Sequence, residues 1–298
     1  MTNTVLMAMS SGVLEAAAAV GLDAEALREA AGIGRDELAD PDARLPLERH
    51  LRLWELLSRH PLGLEIGARM GLAGMGVVGY AMQHGESVGD ALAWLWRYRA
   101  VIHPEVVPAF EVRTGDSGSE LVFSRVVSPA FTRLREPVYA QASALLSVIQ
   151  ALSGTTIRPL RVRLPMPRPA DADRVSAFLG CPVTWNEAVF EVALPADVLD
   201  RALPRADGRL FGYLARRVQE LQEALPADAA FAPRARRAIG DLLVRGAPRL
   251  SAVAKQLGVS ERTLHRRLQE EGASFSALVD DARRERALIL LDDPTLSA

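Results

Sequence analysis

Residues 250–275 read LSAVAKQLGVSERTLHRRLQEEGASF, and the spacing inside this stretch decides the fold of the C-terminal part of the chain. Val253, Ala254 and Leu257 fall on one face of a short first helix, with Ser251 placed to act as its N-cap. Gly258 supplies a sharp turn and Val259 plugs the core. Ser260 then caps a second helix over residues 261–270, whose Leu264 and Leu268 point inward. Two short helices joined in this way have the spacing of a helix-turn-helix. In such a unit the early residues of the second helix face the major groove, and Glu261, Arg262, Thr263, His265 and Arg266 are the non-core positions available. Arginine can bond a guanine edge bidentately, and histidine can donate to a purine or a phosphate. Arg262, His265 and Arg266 therefore lead the candidates. An ordinary helical hairpin with a solvated basic face has the same spacing, and spacing alone leaves both readings open.

Charge follows the same division of the chain. The whole sequence has a formal net charge of -2, yet residues 234–298 carry 12 Lys and Arg against 9 Asp and Glu, and residues 1–233 carry 23 against 28. The basic excess lies with the helix-turn-helix pattern. Just before it, PADAAFAPRAR (226–236) has the proline and alanine content of a linker. A first domain over 1–226, a linker over 227–233 and a second domain over 234–298 are expected, and 298 residues at 49% hydrophobic content suit two cores. The first basic residue is Arg28, and Glu15 interrupts the apolar N-terminal run, so no secretory signal is read. No apolar stretch reaches the roughly 18–20 residues of a membrane span. A cytoplasmic protein is expected. Cys181 has no cysteine partner in the chain, and in LGCPVTW it reads as a buried structural thiol.

The first domain mixes two textures. In LPLERHLRLWELLSRH (45–60), Leu47, Leu51, Trp54 and Leu57 form one helical stripe, and His50 and His60 are expected at the surface. In ESVGDALAWLWRYRAVIHP (86–104), Ala91, Leu92, Leu95, Arg99 and Ile102 share one face while Trp94, Tyr98 and Val101 form another. That helix is expected to be covered on both sides and to stop at Pro104. VVPAFEVR (106–113) and SELVFSRVV (119–127) alternate around TGDSGS, the pattern of a β-hairpin with a longer loop. LRVRLPMP (160–167) and AVFEVAL (188–194) also alternate, with a long helical segment over 128–152 between the two pairs. Mixed helices and strands without strict βαβ alternation predict an α+β domain. A helix from Gly208 to Leu225 leads out of it.

Two motifs suggest enzymes and lack the context an enzyme needs. GMGVVG (74–79) matches GxGxxG, but a glycine-interrupted segment precedes it where dinucleotide binding requires a buried strand, so it reads as close packing through small residues. GDSGS (115–119) matches the nucleophile segment of some serine proteases, but none of the five histidines carries a supporting pattern. Between two alternating runs it reads as a hairpin loop. No histidine pair at i and i+4 and no cysteine pair suggests a metal site. No catalytic residue, metal or cofactor is expected.

Residues 250–291 resemble the first helix-turn-helix and connecting helix of the AraC family of transcription regulators. The resemblance rests on VAKQLGVSERTLHRRLQEEGASF followed by ALVDDARRERALILL, in which Arg283 and Ala287 fall where that family's linker helix carries Arg and Ala. HPLGLEIGARM, GMGVVGYAMQHGESVGDALAWLWRYRAVI, LGCPVTWNEAVFEV and LDRALPRADGRLFGYL are similar to the arabinose-binding-type ligand domain that often precedes it. The resemblance implies an α+β N-terminal domain for effector binding and dimerisation, followed by an all-α helix-turn-helix domain. The DNA-binding domain is expected to be incomplete: the family carries two helix-turn-helix units, and TLSA at 295–298 matches only the start of the second. The implied function is a ligand-responsive, DNA-binding transcriptional regulator and not an enzyme. Its implied partners are a double-stranded DNA operator, a small organic effector, a second copy in a homodimer, and RNA polymerase. Arg262, His265 and Arg266 are expected on bases, and Ser260, Thr263, Arg267, Arg283 and Arg284 on phosphates. Trp94, Tyr98, His103, Phe110, Tyr139 and Trp185 are the effector candidates, each of a type that also fills cores. The alternatives are a truncated regulator acting through dimerisation without binding DNA alone, and a nucleotide-dependent enzyme.

Overall fold

The computed structural model describes residues 4–103, 108–115, 118–125, 134–225, 231–243, 248–270, 273–280 and 282. The chain divides into two compact units, residues 2–225 and 226–298.

The first unit opens with β1 (Thr4–Leu6), α1 (Met7–Ala19) and α2 (Ala24–Ala30). Asp23 caps α2, its carboxylate accepting from the Ala26 N–H at 2.9 Å. β2 (Arg44–Pro46) returns antiparallel to β1, with Val5 opposite Leu45, and leads into α3 (Leu47–Leu57). The buried face of α3 is His50, Leu53, Trp54 and Leu57, while Leu47 and Leu51 of the expected stripe are half-buried. The helix has rotated His50 into the interior. This corrects the expectation of a surface His50, and the reason is that both ring nitrogens find partners: Ser10 Oγ at 2.8 Å and Trp54 Nε1 at 3.2 Å. His60 is exposed, as expected.

α4 (Gly63–Arg69), α5 (Gly76–Met82) and α6 (Val88–Ile102) follow. The GxGxxG stretch is a packing device. Gly74 lies in a 3-10 turn (Leu72–Met75) rather than after a strand, and a Cβ on Gly12 would come within 2.8 Å of the Gly74 Cα. A Cβ on Gly79 would be driven into the Leu72 carbonyl oxygen, and Gly76 holds φ at 57°. α6 is covered on both sides, as its two apolar faces predict. Ala91 and Leu92 join one core, Tyr98 and Val101 join another, and Trp94 and Leu95 pack against both; Ile102, expected on the face of Ala91 and Leu92, joins Tyr98 and Val101 instead. It ends at Ile102 with His103 as C-cap, and Pro104 lies outside the described residues.

A hairpin of β3 (Ala109–Gly115) and β4 (Gly118–Arg125) then forms with Phe110 opposite Phe123. Its ladder runs to the Gly115–Gly118 pair, so Thr114 and Ser119 belong to the strands and the expected longer loop is shortened. Their hydroxyls lie 3.1 Å apart across the ladder. Of the helical segment expected over 128–152, α7 occupies Arg135–Ser153, and residues 128–133 lie outside the described residues. α4 packs against α7 through glycine: the Gly63 N–H donates to Glu136 Oε2 at 2.7 Å, and a Cβ on Gly67 would be driven into the Ala140 carbonyl. β5 (Arg161–Arg163), α8 (Ala172–Leu179), β6 (Val183–Thr184) and β7 (Phe190–Pro195) complete a sheet of order β3-β4-β7-β5-β6. Every pairing in it is antiparallel except β5 with β6. Leu121, Phe123, Val162, Val192 and Leu194 share the first core with Val138, Ala142 and Ile149 of α7, which gives the expected α+β layering. α9 (Gly208–Glu223), capped by Asp207 through the N–H groups of Arg209 and Leu210, closes the unit.

The second unit is helical: α10 (Phe231–Leu243), α11 (Leu250–Gln256), α12 (Glu261–Glu270) and a further helical run over 275–280. Its core joins Phe231, Ala235, Ile239, Val253, Ala254, Leu264, Leu268 and Val279. Residues 231–233, expected in the linker, stand in α10, and Phe231 is only 4% exposed. Ser251, expected as an N-cap, lies inside α11. The Arg249 carbonyl already accepts from the Val253 N–H at 3.1 Å, so the helix starts earlier and Arg249 is the cap residue.

Candidate nucleic-acid interface

The geometry of α12 follows from local chemistry. Gly258 takes φ 67°, which reverses the chain after α11. The Ser260 hydroxyl accepts from the Thr263 N–H at 3.1 Å and lies 2.8 Å from Thr263 Oγ1. These bonds satisfy an otherwise orphaned N–H of the first turn and fix where α12 begins. Leu264 and Leu268 are fully buried. At 100° per residue, that pair sets the inward direction. Arg262 and Arg266 then point away from the core, His265 stands on one flank, and Thr263 and Arg267 on the other. Arg262, His265, Arg266 and Arg267 are all exposed, while Thr263 is half-buried by its place in the cap.

Each cation is held differently. Arg266 pairs with Glu270 one turn on, at 2.6 Å and with both side chains more than half exposed, an interaction worth a few tenths of a kcal/mol. The Arg267 guanidinium stands 5.3 Å from the centroid of the Phe231 ring. Arg283 and Arg284 lie outside the described residues. Gln269 was missed from sequence although it is exposed and, three residues after Arg266, lies on the same outward line. Its i+7 spacing from Arg262 carried the signal, and glutamine can bond adenine bidentately. Lys255 is exposed in the last turn of α11.

Of the six effector candidates, Trp94, Phe110, Tyr139 and Trp185 belong to or pack against the first core, and Tyr98 lies in the second. Trp94 lies 4.2 Å from Tyr98 and 4.9 Å from Phe211, ring to ring, and the Tyr98 hydroxyl accepts from Gln219 at 3.4 Å. His103 is buried at the end of α6. Phe110 lies 5.9 Å from Phe123 and 6.5 Å from Trp96. Beside it is an apolar cavity of about 20 Å³ lined also by Leu92, Leu95 and Leu145, room for about one water molecule. Tyr139 meets the Trp185 ring edge-on at 6.3 Å, and burial pushes its phenol up to about 12. Among the described residues, the Trp94 Nε1 and the Tyr139 hydroxyl are buried without a hydrogen-bond partner.

In the first unit His50 and Cys181 are enclosed. Burial lowers His50 to about 4 and raises the free, buried Cys181 thiol to about 11, the opposite of what a nucleophile needs. Among the described residues no cluster of three His, Cys, Asp or Glu could hold a metal ion, and no helix is long and apolar enough to cross a membrane.

Residues 21–203 match the family described as the arabinose-binding domain of AraC transcription regulator, N-terminal. The chain is 26% identical over 292 residues to the ornithine utilization regulator of Pseudomonas aeruginosa, covering 95% of this chain and 83% of that protein. It is 28% identical over 234 residues to the HTH-type transcriptional regulator VqsM of the same organism, covering 77% and 71%. The crystal structure of the transcriptional regulator CdpR from Pseudomonas aeruginosa aligns over 92% of this chain and 85% of that one, at 24% identity and a TM-score of 0.47.

Proposed function

Because the chain belongs to the family of AraC transcription regulators with an arabinose-binding N-terminal domain, we propose that this ligand-responsive regulator reads double-stranded DNA through the outward face of α12. Arg262, His265 and Arg266 contact base edges. Ser260, Thr263, Arg267, Arg283 and Arg284 contact phosphates, which position the unit without carrying sequence information. The observation that carries this reading is the division of one short helix: Leu264 and Leu268 lie in the core while the cations lie outside, at the start of a helix fixed by a glycine turn and a serine cap.

A small organic effector bound in the first unit controls the reading, together with assembly into a homodimer and contact with RNA polymerase. Such control requires the effector to bind one state of the protein better than another. The chain acts in the cytoplasm, where its operator lies. The relatives are named as regulators, which supports this reading over an enzymatic one.

Selection from a random duplex library tests it. The purified chain is expected to enrich a defined element and to bind it at least ten-fold more tightly than a scrambled duplex, with affinity falling steeply as salt rises. Equal binding to every sequence, or none, would overturn the reading.

A further inference from the structure

We propose that Phe231, the residue that opens α10, is a positioning residue for DNA binding: its ring carries the Arg267 guanidinium and presents it to a phosphate. This rests on the reading of α12 above. Phe231 is 4% exposed and packs in the core with Ala235, Ile239, Leu264 and Leu268. Its ring is therefore fixed relative to α12. Arg267 stands 5.3 Å from the ring centroid and Arg234, one turn along α10, 5.7 Å from it, both within the range of a cation–π attraction.

The contrast with Arg266 gives the stack its meaning. Glu270 occupies the N–H edge of Arg266, and that ion pair must open before the side chain can reach DNA. A guanidinium held by an aromatic face keeps its planar fork of N–H donors for an anion. Arg267 makes no ion pair among the described residues. The ring restricts the side chain's rotamers before binding, so less entropy is lost when a phosphate arrives. Arg234 adds a second positive charge at the same place. Phe231 thus joins the first turn of the second unit to the flank of its reading helix.

The test is the affinity of the full chain for the enriched duplex, measured in Phe231→Leu, Phe231→Tyr, Arg267→Gln and the double variant Phe231→Leu/Arg267→Gln. Phe231→Leu keeps an apolar side chain and removes the π face. It is expected to weaken binding about two- to five-fold, Phe231→Tyr to restore it, and Phe231→Leu to add nothing to Arg267→Gln. Arg267→Lys keeps the charge and loses the planar fork; it is expected to bind less tightly than the parent but more tightly than Arg267→Gln. The proposal fails if Phe231→Leu and Arg267→Gln weaken binding additively, if Phe231→Leu binds like the parent, or if lysine fully replaces Arg267. Arg266→Ala separates the two claims. If it leaves binding intact the reading of α12 has failed, whereas if it weakens binding while Phe231→Leu does not, only the role of Phe231 has failed.

Discussion

His50 and His265 sit on helices of 11 and 10 residues, one in each unit, in opposite surroundings. His50 is 2% exposed and bonded at both nitrogens. Trp54 Nε1–H can only donate, so His50 Nε2 accepts and Nδ1 carries the proton towards Ser10. His265 stands on the open flank of α12 among exposed arginines. The same contrast holds for charge. Glu191, 2% exposed on the sheet, is covered by Arg113 at 2.8 Å and Arg161 at 3.3 Å, whereas the charges of α12 face outward. At His50 and Glu191 the first unit encloses polar side chains between its layers. Among the described residues of the second unit, the arginines and His265 of α12 lie at the surface, where a ligand as large as DNA can meet them.

The closed packing of the first unit breaks most readily at α4 and α7. In Gly67→Ala the new Cβ meets the Ala140 carbonyl and the Ser143 hydroxyl, so the two helices must move apart. A loss of about 3 kcal/mol is expected, seen as a lower melting temperature for the first unit while the helical second unit is unaffected. An unchanged transition would show that the α4–α7 contact is looser than described.

A loss of similar size is expected from acid. His50 is held at about 4 by burial, against an ordinary value of 6.5. As pH falls, the unfolded chain takes up this proton first. The stability from neutral His50 is complete above pH 6.5 and is lost progressively towards pH 4, about 3 kcal/mol in all. Urea unfolding of the full chain at a series of pH values measures this slope, and His50→Gln is expected to flatten it. An equally steep slope in the variant would place the acid-sensitive group elsewhere.

These contrasts also explain what could be read from the sequence. The turn at Gly258, the cap at Ser260 and the inward Leu264 and Leu268 depend on neighbours within a few residues, and each could be read directly. The two-sided burial of α6 and the β3–β4 hairpin were equally legible, because period 3.6 and period 2 survive in the sequence. His50 lies on an apolar stripe with Leu53, Trp54 and Leu57, so the pattern held a hint of burial. What was missing was Ser10, 40 residues away. The two-residue strand β6 and its parallel pairing with β5 have no local signature. The Arg267–Phe231 stack was hidden for the same reason, since it spans two helices. Residue type alone, aromatic or polar, named the effector candidates; in the structure Trp94, Phe110, Tyr139 and Trp185 belong to or pack against the first core, while Tyr98 lies in the second.

Removing two exposed arginines from each unit tests the central claim most directly. Arg262→Ala/Arg266→Ala and Arg209→Ala/Arg216→Ala change the formal charge equally, and all four residues are exposed. In titrations of the enriched duplex at one salt concentration, the α12 pair is expected to cost about 1–3 kcal/mol per bidentate arginine, and the α9 pair to leave affinity within about two-fold of the parent. Equal losses from both pairs, or an intact affinity without Arg262 and Arg266, would contradict the assignment of DNA reading to the outward face of α12.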